Sequence, residues 1–192
     1  MRRTEFPMSR ITRVALAIGA GVAALAGSVT PASADEAPRA AAPSAVQLKL
    51  EHSGKCLTIP NASFRNGVDA VQSTCVDGAE NQLFDVVSAG SATFELRAKH
   101  SGKCLDAESA GVKPGTVVQQ WWCVDAAPQE RWRLVMVDVV NELYELRPAH
   151  ALDKNLCLDI SGASKDDGAI AQLWTCNGSG AQKWRLQPAK SA

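Results

Sequence analysis

Three stretches of the chain carry the same alternation of apolar and polar positions: Val46-Gln47-Leu48-Lys49-Leu50, Phe94-Glu95-Leu96-Arg97 and Leu143-Tyr144-Glu145-Leu146-Arg147. The alternation returns in Gln82-Leu83-Phe84-Asp85-Val86, Glu130-Arg131-Trp132-Arg133-Leu134 and Gln182-Lys183-Trp184-Arg185-Leu186. A period of two puts one set of side chains on a buried face and the other in water, so each stretch predicts a half-buried β-strand. Turn residues such as Asn66-Gly67 and Asp167-Gly168 punctuate these strands, as short strands in an all-β fold require. No segment beyond residue 45 shows the spacing of an amphipathic helix.

Cysteines keep step with this pattern. Cys56 and Cys75, Cys104 and Cys123, and Cys157 and Cys176 form three pairs of identical separation. Their leading members recur at intervals of roughly fifty residues, the signature of an internal repeat. Equal spacing suggests a disulfide within each repeat, although the count alone leaves other pairings open. Zinc is the competing use of these residues, but its ligands usually come as close Cys-x-x-Cys pairs, and the chain has none. One repeat of about four strands cannot bury its own apolar face, whereas three sharing a core can. Three such units closed around an axis make a β-trefoil, a barrel capped by hairpins that leaves no strand edge open.

The N-terminus changes where the chain is expected to work. Arg2, Arg3, Arg10 and Arg13 precede an apolar run from Val14 to Val29, followed by Ala32-Ser33-Ala34. These are the parts of a secretory signal peptide, so residues 1–34 are expected to be cleaved after Ala34 and the protein to be extracellular. A retained anchor is the competing reading, but the run falls short of the roughly 20 residues that cross a bilayer. Residues 35–45 are almost wholly Ala, Pro, Ser and charge, a linker composition. Of 20 basic and 20 acidic residues, the leader removes four Arg and one Glu. The remainder is slightly acidic, which argues against nucleic acid or anionic lipid as partner.

Cys104-Leu105-Asp106, Cys157-Leu158-Asp159, Gln172-Leu173-Trp174-Thr175-Cys176 and the closing Gln182-Lys183-Trp184 together resemble the ricin B-chain lectin family. The resemblance covers residues 46 to 188, in repeats at about 46–90, 91–139 and 140–188. It implies a β-trefoil that binds a glycan or polysaccharide; the chain is further expected to be a monomer with no cofactor, no metal and no membrane insertion. It also implies which positions do so: two after the first Cys of a repeat, and four and two before the second. A sugar needs an aromatic face for its C–H surface, a carboxylate for vicinal hydroxyls and an amide that donates and accepts. The third repeat offers Asp159, Gln172 and Trp174, and the second offers Asp106, Gln119 and Trp121. Ala181 stands where the family often has Asn, and Asn177 is expected to supply part of that amide. Gln129-Glu130 replaces Asn-Gln in the second repeat, and an ionised Glu130 cannot donate. The first repeat, with Thr58, Val71 and Ser73 at these positions, is expected to be structural.

Other residues carry plainer expectations. Phe84, Trp132 and Trp184 are expected to fill the barrel, and Gln82 and Gln182 to satisfy buried backbone groups. Trp122, adjacent to Trp121, is expected to pack on the opposite face. Asp106 and Asp159 have a competing role as turn residues bonding their own backbone. His52, His100 and His150 are expected to be solvated turn residues rather than a metal site on the axis, because His150 lies further from its cysteine than the other two. No Gly-x-Ser-x-Gly, His-Glu-x-x-His or phosphate-cradling loop is present, so the expectation is a binding module rather than an enzyme. The alternative is a trefoil scaffold or inhibitory module acting through an exposed loop, residues 61–69 or 109–115.

Overall fold

The computed structural model describes residues 45–189. The expected leader, residues 1–34, and the linker up to residue 44 lie outside the described residues, while Ala45, assigned to the linker, opens the first strand. Thirteen strands follow: β1 (Ala45–Leu50), β2 (Cys56–Thr58), β3 (Val68–Asp69), β4 (Val71–Ser73), β5 (Leu83–Gly90), β6 (Thr93–Ala98), β7 (Cys104–Ala107), β8 (Val118–Trp121), β9 (Arg131–Asp138), β10 (Leu143–Pro148), β11 (Leu156–Ile160), β12 (Ala171–Thr175) and β13 (Trp184–Pro188). Short 3₁₀ turns are the only helical elements among the described residues.

The opening and closing strands of the repeats form a closed ring. Antiparallel pairing runs β1–β5, β5–β6, β6–β9, β9–β10 and β10–β13. β13 then returns to β1 with Val46 opposite Pro188 and Leu50 opposite Trp184. Closure leaves the ring without an exposed edge. Phe84, Trp132 and Trp184 point into it at 0% exposure, among Leu48, Leu96 and Leu146 from the opening strands. Each indole also meets a backbone acceptor: Trp132 Nε1 donates to the Leu105 carbonyl and Trp184 Nε1 to that of Leu158. This is the β-trefoil barrel.

Three hairpins cap one end: β2–β4, β7–β8 and β11–β12. Each is crosslinked internally, Cys56–Cys75, Cys104–Cys123 and Cys157–Cys176. The third strand of the first repeat appears as two pieces because it changes partner at buried Ala70. β3 pairs with β8 and β4 with β2, while Ala70 donates to Val118 and accepts from Ala171.

Polar side chains stitch the repeats together, and here two expectations are corrected. The three histidines are half-buried ties rather than solvated turns. His52 Nε2 bonds the carbonyls of Ala163 and Ser164, His100 that of Ser63 and His150 that of Gly111, at 2.9–3.1 Å. Each reaches the loop after the second strand of a neighbouring repeat. The extra residues that displace His150 in sequence form the 3₁₀ segment Ala149–Lys154, which carries it to the matching place. Trp122 is the second correction. It is 63% exposed, with the Lys103 ammonium 3.5 Å from its ring centroid. It follows the last residue of β8, beyond the cross-strand cover that a packed ring would need.

Candidate functional site

The capping hairpins position the predicted residues through their register. In the third repeat Asp159 lies opposite Gln172, and Trp174 lies opposite Cys157. The second repeat matches it, with Asp106 opposite Gln119 and Trp121 opposite Cys104. Alternation along each strand brings the carboxylate, amide and indole to one face, beside the disulfide that ties the hairpin.

Each set opens into a shallow depression. The third-repeat depression, about 320 Å³, is lined by Asp159, Gln172, Trp174 and Asn177, with the turn Ser161–Ala163 on its rim. The second, about 450 Å³, is lined by Asp106, Gln119, Trp121 and Gln129, with Glu108–Ala110 on the rim. Trp174 and Trp121 are 43% and 40% exposed, unlike the enclosed indoles of the barrel. The aspartates beneath them are buried. They sit within strands and accept from side chains, which displaces the turn-residue reading of both.

Hydrogen bonds hold these carboxylates in place. Gln172 Nε2 donates to Asp159 Oδ1 at 2.9 Å, and Gln182 Nε2 donates to Asp159 Oδ2 at 3.2 Å. Gln119 Nε2 donates to Asp106 Oδ1 at 3.0 Å. Burial pushes both carboxyls above the ordinary carboxylate range, and the glutamine bonds pull them back toward ionisation. His150 beside Asp106 and His52 beside Asp159 act in the same direction as the glutamines. Asn177 accepts the Ser179 N–H through Oδ1, which leaves its amide nitrogen to donate.

The first repeat lacks this set. Thr58 Oγ1 donates to the Cys56 carbonyl, and Val71 and Ser73 supply neither amide nor ring. Its depression is reached instead by Asp167 from the third repeat, which pairs with Lys55 at 2.6 Å and accepts the Thr74 N–H. Gln82 and Gln182 bond the Val76, Thr74, Asn177 and Thr175 backbone groups.

Two buried residues went unnoticed in the sequence. Gln72 Nε2 donates to the Ser164 and Asp166 carbonyls, and Gln120 Nε2 to those of Ser63 and Arg65. Both also accept from the Ser-Gly turn of their own repeat, Ser53 and Ser101. Their shared place three residues before a cysteine was the available signal. The third repeat breaks it with Leu173.

A β-trefoil with aromatic, amide and carboxylate groups gathered on its capping hairpins is the architecture of a lectin-like domain. The chain belongs to the ricin-type beta-trefoil lectin domain-like family, whose profile matches residues 38–121 and 124–192. Among solved structures it is similar to ThreeFoil, a designed 3-fold symmetric protein, at 34% identity over 75% of this chain and 98% of that one, TM-score 0.69. It is similar to an exo-beta-1,3-galactanase from Clostridium thermocellum at 25% identity, covering 77% of this chain and 31% of the enzyme, TM-score 0.69. The earthworm R-type lectin C-half, solved in complex with GalNAc, matches at 22% identity over 76% of this chain and 98% of that one, TM-score 0.59. No curated protein matches the chain in sequence.

Proposed function

We propose that the chain is a secreted carbohydrate-binding domain that holds galactose- or xylose-type glycans in the depressions of its second and third repeats, without turning them over. One observation carries this reading: in both repeats a half-exposed tryptophan shares its depression with a buried aspartate and the glutamine bonded to it. The ring offers an apolar face to sugar C–H groups. The carboxylate, already oriented by its glutamine, keeps lone pairs for vicinal hydroxyls. The galactose-type ligand finds support in the earthworm lectin solved with GalNAc.

Secretion is supported by the leader pattern of residues 1–34 and by three disulfides, which persist in oxidising compartments. A binding rather than catalytic role is supported by the third-repeat lining, where Asp159 is the one carboxylate. Glycosidases usually need two carboxylates about 5–10 Å apart across one bond. In the second repeat Glu108 joins Asp106 at the rim, so absence of turnover has to be measured there as well.

Titration with galactose, lactose and xylose, followed by tryptophan fluorescence, tests the reading. A saturable change with at least one sugar is expected. Asp159→Ala or Trp174→Ala should remove the third-repeat component, and Asp106→Ala the second. Retained binding in Asp106→Ala/Asp159→Ala would sink the assignment, and release of sugar from a galactan or xylan would sink the non-catalytic reading.

A further inference from the structure

The second depression differs from the third at one buried atom. Gln182 Oε1 accepts the Asn177 N–H at 2.8 Å, and its Nε2 donates to the Thr175 carbonyl at 2.9 Å and to Asp159 Oδ2 at 3.2 Å. Gln82 repeats the backbone half of this, accepting from Val76 at 2.8 Å and donating to Thr74 at 3.0 Å. The second repeat puts Glu130 at that position, fully buried. Its Oε2 accepts the Val124 N–H at 2.9 Å, as a glutamine oxygen would. Its Oε1 occupies the amide nitrogen's place, buried and without a hydrogen-bond partner.

The repeat correspondence sets the Trp122 carbonyl and the inner oxygen of Asp106 where Gln182 finds its two acceptors. An ionised Glu130 therefore directs an acceptor at acceptors, and one proton on Oε1 turns the clash into the missing donor. Asp106 otherwise accepts from Gln119 alone among the described residues, where Asp159 has two amides.

We infer that protonated Glu130 is the positioning residue of the second depression, holding Asp106 for its ligand as Gln182 holds Asp159, so that sugar binding there is favoured by acid. This rests on the sugar-binding reading of that site. The surrounding charges agree with it. Burial is the largest influence favouring a neutral Glu130, Asp106 on β7 and Glu95 on β6 add to it, and the Val124 N–H bond works against them; the net effect pushes its carboxyl up to about 6. Arg97 opposes them more weakly, and its guanidinium is already bonded to Glu95 at 2.7 Å. His150, in the 3₁₀ segment Ala149–Lys154, and Glu108, on the rim turn, bear on Asp106 with opposite sign. Asp153 and Lys154, in the same 3₁₀ segment, pair with each other at 2.8 Å. Once Glu130 ionises, Asp106 must turn away or take the proton, and either change spoils the acceptor.

The test uses the full chain carrying Trp174→Ala, so that the second depression alone reports, with galactose as the probe. Affinity is expected to fall about tenfold as pH rises from about 5 to about 7.5, as for one pKa unit of coupling. Adding Glu130→Gln should hold the affinity at its acid value throughout. A flat profile before that change, or an unaltered fall after it, overturns the inference. If galactose, lactose and xylose all fail to bind the parent chain at any pH, the sugar-binding reading fails separately, and carboxyl ¹³C titration decides the positioning role. Glu130 and Asp106 titrating as a coupled pair, with the Asp106 step displaced by Glu130→Gln, supports it; independent titration overturns it.

Discussion

Trp184 and Trp174 do different jobs, and burial separates them. Trp184 is enclosed by the barrel and donates to the Leu158 carbonyl, so Trp184→Ala leaves both a cavity and an unpaired carbonyl. We expect a loss of about 3–5 kcal/mol in urea unfolding. Trp174, half in water, should cost under about 1 kcal/mol when cut to alanine, since surface changes usually stay small. Glu130 makes a prediction of opposite sign. Its folded-state value of about 6 lies above its ordinary 4.5, so the folded state binds that proton more tightly than the unfolded chain does. This contribution is present in acid and is lost as pH rises from 4.5 through about 6. Glu130→Gln should therefore stabilise the protein at pH 8 by about 1–2 kcal/mol and flatten that part of the stability profile.

Among the elements, the capping hairpins depend most on their crosslinks. β11 and β12 form a two-stranded sheet of their own, and such a hairpin is marginal in water by itself. Its disulfide spans 19 residues, a loop whose closure is worth about 3 kcal/mol on the chain-entropy view. Replacing both Cys157 and Cys176 by alanine should cost about that much and speed amide exchange in β11–β12 before it does so in the barrel. The barrel strands themselves were legible in sequence, because alternation is a local signal. The segment 46–50 became β1, 94–97 became β6, and the enclosed rings came from the same alternation. What approaches from another repeat was not legible. The local pattern around His52, Gln72 or Trp122 reports which way a side chain leaves its own strand. It is silent on whether a neighbour's loop meets that side chain, as with His52 and Gln72, or water does, as with Trp122. The Asp–Gln–Trp constellation was readable because all three residues belong to one hairpin, and so was the Glu130 departure in its second copy; that the Glu130 Oε1 is buried without a partner depends on the fold.

At the scale of the whole trefoil, two such constellations share one closed barrel. Independent shallow pockets bind monosaccharides weakly, but on a polymer the second engagement becomes intramolecular. Immobilised galactan should therefore be held ~10²-fold more tightly than galactose in solution. Trp121→Ala or Trp174→Ala alone should forfeit most of that gain while halving the sites titrated by free sugar. Surface plasmon resonance beside calorimetry would separate the two effects.

The cross-repeat ties have a bearing on ancestry. The loops of both candidate rims are tied by a histidine from another repeat, His52 at Ala163 and His150 at Gly111, and Gly67 of the first repeat lies within the lining of the second depression. There a Cβ would come within 3.5 Å of the Trp121 ring, so the backbone itself forms part of the wall. The third depression, by contrast, is lined by its own repeat alone, so an ancestral single repeat could have carried that set of ligand groups, while the second depression needs its neighbour to complete the wall.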